Sequence, residues 1–532
     1  MSPTNMNKHI AITRLLSAAV MALTSLLTTA AHAAVPGITG PSFDLSAEAN
    51  YISQPDGEMV YSFGYGCRVA PTGFAPAAIT GGVCNTMQIP GPTLIVHEGD
   101  TVTVTLANNL PVQAGNTSIL FPGFQVTPTG GVSGSLAQEA AHGGSVTYTF
   151  NATTPGTRAY YSGTQADLQV EMGLYGAIVV LPATAQSGTG CHALATNLPD
   201  GQPDYRLAAS AYDISSSCYD REYLFQFSEM DPRIHDQARA IANCTVSPGT
   251  SCAVNMDAIA TEPYHPAYFM INGRSMPDDM DTNYAAEYPH QPYNGNPHMH
   301  PGELVLLRVL GTGRWQHPFH EHGNHVRILA RDGNLILSRT DPTKLAGPLL
   351  FTTTTTPGLA MDGIFYWTGK GLNWDVYGHK PGGVYTDQAF PSYLNKPVVC
   401  TPDPNGYYTA DPLAPNYYEW CADHTIGLES HPFGDVNSGG PVTLPDANIL
   451  TNGAWYGGSA YLGPDATTRA TGVTGTTPPS GTIANSPTGE AGFAFMWHSH
   501  NEREITTNNI FPGGMMMMML VDPQAFLINE AN

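Results

Sequence analysis

His317-Pro318-Phe319-His320-Glu321-His322-Gly323-Asn324-His325 and, far downstream, Trp497-His498-Ser499-His500 are the two stretches on which the reading of this chain turns. Each contains a His-x-His pair. On a strand, side chains two apart point to the same face. His320 and His322 therefore project together, and so do His498 and His500. If the two strands pair or face each other, four imidazoles converge. Imidazole donors suit copper, zinc, iron or nickel. The alternative, that these are satisfied core or solvent-facing histidines, stays open on the residues alone. No cysteine stands beside either cluster.

Around these stretches the chain reads as β structure. Thr101-Val102-Thr103-Val104-Thr105-Leu106 alternates as a half-buried strand does. Ser145 to Phe150 repeats the alternation, and Tyr175 to Leu181 is a short apolar run that fits a more buried strand. Further strands are expected at Glu222–Phe227, Tyr268–Gly273, Glu303–Leu310 and Met515–Val521. No segment shows a long 3.6-residue apolar period. Short strands between Gly and Pro turns indicate a sandwich or a barrel. The expected layout is a domain over 34–186, a linker over 187–220 and a second domain over 221–532. Residues 382–490, rich in Gly, Pro, Thr and Asn, form a long insertion in the second domain; such insertions are often functional.

Composition narrows the classes. Charged residues make only 12% of the 532, with 56 Gly and 44 Pro, which argues against long helices or a coiled coil. The net charge of −23 and the lack of a basic patch exclude a nucleic-acid binder. Lys8 and Arg14, the apolar Leu15–Leu27 and Ala31-His32-Ala33 predict a secretory signal over residues 1–33, hence a periplasmic or secreted protein with no membrane span. Eight cysteines in an oxidising compartment favour disulfides, and proximity suggests 67–84, 191–218, 244–252 and 400–421.

Beyond these readings, the motifs resemble those of the multicopper oxidases. His317-Pro-Phe-His-Glu-His-Gly is similar to the family's H-P-x-H-x-H-G motif, and Trp497-His-Ser-His with Gly513-Gly514-Met515 to its H-C-H…G-M motif. Met87-Gln-Ile-Pro-Gly-Pro-Thr, Glu98-Gly-Asp and Gly173-Leu-Tyr-Gly-Ala-Ile-Val resemble its first domain. The resemblance implies an all-β fold of two cupredoxin-like Greek-key β-sandwich domains, the second carrying the insertion. A degenerate middle domain over 205–310 is the alternative.

The family holds a blue copper on two His and a Cys, and a trinuclear cluster on eight His. By that resemblance His317 matches the first blue-copper His and Met515 the axial Met. However, the Cys position is Ser499 and the second His position is Glu504. A serine hydroxyl cannot replace the soft thiolate. A harder ion on His317, Glu504 and Glu502 is one reading of what remains. His320, His322, His498 and His500 match four cluster ligands. The first-domain pairs are absent: the matching positions read Ser118-Ile-Leu-Phe-Pro-Gly123 and Tyr160-Tyr-Ser-Gly163.

The resulting expectation is a copper-binding protein. Its metal ligands are His320, His322, His498 and His500, with His317 nearby; its cofactor is copper and its partners are metal ions. Whether it is an enzyme stays open. If it is, the resemblance implies a copper-dependent oxidoreductase of a small phenolic or metal-ion substrate. Trimeric two-domain relatives imply a homotrimer. A non-catalytic structural or partner-binding module is the rival. Tyr160 and Tyr161 are read either as groups at the vacated side of the cluster or as filling for its space. His298-Met299-His300 adds a third His-x-His that matches no family ligand. The Met515–Met519 run is read as packing, since Met fills irregular gaps.

Overall fold

A computed structural model describes residues 35–79, 82–183, 191, 193–197, 203–244, 255–300, 303–342, 344–367, 458–461, 492–521 and 528. The expected signal segment, most of the 382–490 insertion and the 400–421 disulfide lie outside these residues.

The inward-facing apolar positions of the alternating strands build two β-sandwiches. In the first, Thr101–Asn108 turns Val102, Val104 and Leu106 inward and its threonines outward. It pairs with Ser145–Asn151 antiparallel and with Ser42–Ser53 parallel. A second sheet, built on Leu94–His97, Gly156–Tyr161 and Tyr175–Leu181, closes over it. One core cluster joins both sheets, including Leu45, Phe63, Leu94, Val104, Phe121 and Ile178. Each sheet of this sandwich thus mixes parallel and antiparallel neighbours.

The second sandwich pairs a sheet built on Arg221–Met230, Leu304–Gly311, Ala360–Tyr366 and Val326–Arg331 with one built on Met516–Val521, Gly492–Ser499, His317–Glu321 and Thr352–Thr355. Tyr223, Phe225, Leu307 and Phe365 of the former meet Phe319, Phe495, Trp497 and Met517 of the latter. The strands Tyr268–Ile271 and Leu304–Gly311 join the first of these sheets, so the described part of 205–310 builds no separate middle sandwich. From the insertion, Gly458–Tyr461 adds to the edge of Gly492–Ser499.

The two sandwiches stack. Ile95, Ala177 and Val179 on the outer face of the first meet Leu224, Leu310 and Ala360 on the outer face of the second. Arg308 lies between them, paired to Glu222 at 2.9 Å and bonded to Thr157 at 3.1 Å. This stacking explains why Tyr175–Leu181 and Arg221–Met230 are buried on both faces, as strands in interior layers are. It also leaves the sheet carrying the histidine motifs as the outermost layer, farthest from the first sandwich.

One helix departs from the sequence reading. Pro232–Ala242 is helical, with Asp231 as its N-cap accepting from the Arg233 amide and Pro232 in the first turn. Ile234, Ala238 and Ile241 pack on the first sandwich. The helix has only three turns, so its period is brief, but Asp231-Pro232 marked its start. The disulfides Cys67–Cys84 and Cys191–Cys218 are formed. Cys244 is also disulfide-bonded, with its expected partner Cys252 outside the described residues.

Candidate metal centre

The two histidine motifs lie on neighbouring antiparallel strands, with His320 directly opposite His498 and Phe319 opposite Ser499. The strand period of two then sorts the side chains. His320, His322, His498 and His500 share the outward face. His317, Phe319, Glu321, Trp497 and Ser499 point into the sandwich. Gly323, at φ 104°, turns the chain directly after His322; a Cβ there would press on the Phe495 ring. The Trp497 indole donates to the His322 carbonyl at 2.9 Å and ties the end of one motif to the other.

On the outward face the four imidazoles converge. Ligand-capable nitrogens of His320, His322 and His498 all lie within 4.8 Å of one another. His500 joins them, its ring centroid 4.7 Å from that of His320 and 5.5 Å from that of His498. His320 and His498 are buried, His322 half-buried, and the His500 side chain is 50% exposed. The His498 Nδ1–H donates to the Ser499 carbonyl at 2.7 Å, which directs its Nε2 lone pair toward His322 Nε2, 3.2 Å away. His320 Nδ1 is 2.6 Å from Thr352 Oγ1, so its Nε2 is likewise turned to the cluster. Such outer partners fix the tautomer of a metal-binding imidazole. Burial, and then its His322, His500 and His498 neighbours, push His320 down to about 3. Burial also lowers His498. His320 therefore stays neutral in ordinary buffers, as metal ligation requires.

The inward face differs. His317 is fully buried between two carboxylates: Nδ1 is 2.8 Å from Glu504 Oε2 and Nε2 is 2.9 Å from Glu229 Oε2. Burial opposes its charge, but the hydrogen bonds to Glu229 and Glu504 outweigh that and raise it to about 9. The Ser499 hydroxyl donates to the same Glu504 oxygen, and Asn501 Nδ2 donates to the other at 2.8 Å. Glu229 also accepts from the Arg314 and Trp315 amides. Backbone bonds from Met515 to Glu504 and from Ser499 to Met515 close the loop. Gly514, at φ 65°, permits this, since a Cβ there would strike the Glu504 carbonyl. No thiolate is present, and both nitrogens of His317 face carboxylates, so these residues do not fit a blue copper. His317 lies apart from the four histidines. Glu502, with its side chain 76% exposed, lies 3.7 Å from His500 rather than in this pocket.

Glu229 was not singled out from the sequence. Its signal was available: Tyr223, Phe225, Phe227 and Glu229 share one face, so the carboxylate continues a row of core aromatics.

The first sandwich retains the scaffold of its two expected ligand segments but not their chemistry. Leu120 and Tyr161 are bridged by backbone hydrogen bonds. Ser162 and Thr117 donate to Gln169 at 2.7 and 2.9 Å, and Ser118 meets Thr164 at 2.8 Å. Tyr160 is fully buried, donates to the Pro92 carbonyl and packs on Tyr65 and Phe121, so it fills core space. A trinuclear cluster of the family's kind does not fit these residues either. Elsewhere, His300 lies against Glu303 and Arg221, and Met515, Met517 and Met519 belong to the core of the second sandwich. No helix among the described residues is long and apolar enough to cross a membrane.

Two sandwiches of this topology define a cupredoxin-like double-domain protein. Residues 78–185 match the multicopper oxidase family model. Over 98 residues the chain is 39% identical to multicopper oxidase MCE of Talaromyces pinophilus and 38% identical to laccase abr2 of Aspergillus fumigatus. Each alignment covers 18% of this chain, and only 15% and 16% of those relatives' length. A solved blue copper oxidase from Nitrosomonas europaea aligns over 90% of this chain and 85% of its own, at 15% identity and a TM-score of 0.43. Within residues 78–185 the chain is thus similar to a multicopper oxidase domain.

Proposed function

We propose that this chain is an exported copper-binding protein that holds its metal on His320, His322, His498 and His500. The observation that carries this reading is the convergence of imidazole nitrogens of His320, His322 and His498 within 4.8 Å of one another. Copper in such a site would supply one-electron exchange with a donor or with dioxygen. The residues have separate tasks. The Ser499 carbonyl and Thr352 hold His498 and His320 in register, and Phe351, 5.8 Å from the His320 ring, shields that side from water. His500 gives the site its open edge, where a small phenolic or metal-ion donor would reach the metal directly, since the residues of the usual electron-entry site do not fit copper. Export accords with the disulfides Cys67–Cys84 and Cys191–Cys218. Any oxidoreductase activity is then slow and atypical.

The test is copper content per chain on protein purified without a His tag, followed by dioxygen consumption with a phenolic donor. Copper retained by the wild type and lost on His320→Ala with His498→Ala supports the proposal. A folded protein that takes up no copper sinks it and leaves the rival, a non-catalytic module on this scaffold. An intense blue colour would contradict the assignment of Ser499.

A further inference from the structure

We propose that the outward face of the same sheet carries a soft-metal site beside the four histidines, for monovalent copper, formed by the thioethers of Met496, Met516 and Met518. The strand register places them there. His320 lies opposite His498, and His498 in turn lies opposite Met516. One row across neighbouring strands therefore reads His320, His498, Met516. Two residues along, Met496 lies opposite Met518 and forms the next row on the same face. Directly opposed residues have Cβ atoms about 4.5–5.5 Å apart, which long unbranched side chains span.

The methionines thus divide by face. Met515, Met517 and Met519 join Phe495 and Trp497 in the core of the second sandwich, where packing accounts for them. Met496, Met516 and Met518 point away from that core. Met496 and Met518 are half-buried, and Met516, beside His498, is buried. The rows therefore run from sulfur that water reaches to sulfur enclosed next to an imidazole. Met280 adds a thioether at the sheet edge, where its Sδ accepts from the Met518 amide at 3.5 Å. Thioethers are neutral and soft, and they select Cu(I). Neither row contains a carboxylate, so a hard divalent ion finds no anionic oxygen there. The site gives the histidines a supply route. Cu(I) held by Met496 and Met518 passes to Met516 and then exchanges a thioether for His498, with no change of oxidation state. The transfer rests on the copper reading of the histidines; the thioether site itself does not.

The test titrates the stripped, untagged full chain with Cu(I) under anaerobic conditions against a chromogenic Cu(I) chelator. A His320→Ala/His498→Ala background keeps the outward imidazoles from taking the ion. The expected result is about one Cu(I) per chain, weakened at least about tenfold by Met496→Leu/Met516→Leu/Met518→Leu. Leucine keeps the volume and removes the sulfur, so the fold is retained. X-ray absorption at copper should show sulfur neighbours that the leucine variant lacks. If the triple variant fails to fold, Met518→Leu alone, at a half-buried position, carries the same comparison. With the histidines intact, the leucine variant should fill their site more slowly from Cu(I) but at the wild-type rate from Cu(II). No Cu(I) uptake, uptake unaffected by leucine, or copper bound through nitrogen and oxygen alone would each overturn the proposal. Cu(I) held on sulfur in a chain whose histidines take no Cu(II) would sink the preceding reading and leave this site standing.

Discussion

The outward and inward faces of one pair of strands use the same residue type to opposite ends. Outside, His320 and His498 are pressed toward the neutral form by burial and by other imidazoles. Inside, three positions from His320, His317 is held charged by two carboxylates. Ser499, on the inward face of its strand, and Glu504, in the turn that follows, stand where the resemblance to blue-copper proteins places a Cys and a His. A β-strand lets the two faces change independently, because alternate side chains do not share an environment. The four-imidazole cluster on one face and the carboxylate-flanked His317 on the other are thus set independently.

The sharpest way to break this comparison is to delete the outward ligands. His320→Ala with His498→Ala should remove copper altogether, an affinity loss of at least about 100-fold, while the fold is preserved; metal analysis and circular dichroism on one sample check both halves. Next comes the inward cluster. Glu229→Ala leaves a buried imidazolium short of a partner and should destabilise the metal-free protein by about 3–5 kcal/mol in urea unfolding, with little change in copper content.

A pH series sharpens the contrast further. The folded His317 is raised above its unfolded value of about 6.5, so its contribution, on the order of 3 kcal/mol, is full below about 6.5 and is lost as pH rises through about 9. His317→Gln should flatten that alkaline decline; a decline of the same depth in the variant would show that another group titrates there. The smallest effect is expected at Thr352→Ala, which removes the hydroxyl 2.6 Å from His320 Nδ1 and should weaken copper about tenfold without moving stability at high pH.

Several features were legible in the residues. Val102, Val104 and Leu106 alternating with threonine mark a strand whatever its neighbours, because the period of a pleated backbone is local. The spacing of His320 with His322 and of His498 with His500 fixes which imidazoles share a face for the same reason. The chemistry of Ser499, which has no thiolate to offer, needs no coordinates at all. Cys67–Cys84 and Cys191–Cys218 followed from proximity along the chain. The helix Pro232–Ala242 was missed because three turns carry too little periodicity to outweigh their surroundings.

Only the tertiary structure decided which strands are neighbours, and with that the rest. The pairing of His320 with His498 spans a long stretch of chain and depends on two sheets closing over Phe319 and Trp497. The capture of His317 by Glu229 joins opposite sheets of the second sandwich, so no local pattern along either strand reports it. Local spacing thus gave each face its residues. The charge state of each imidazole came from carboxylates and rings brought near it by the packing of distant strands.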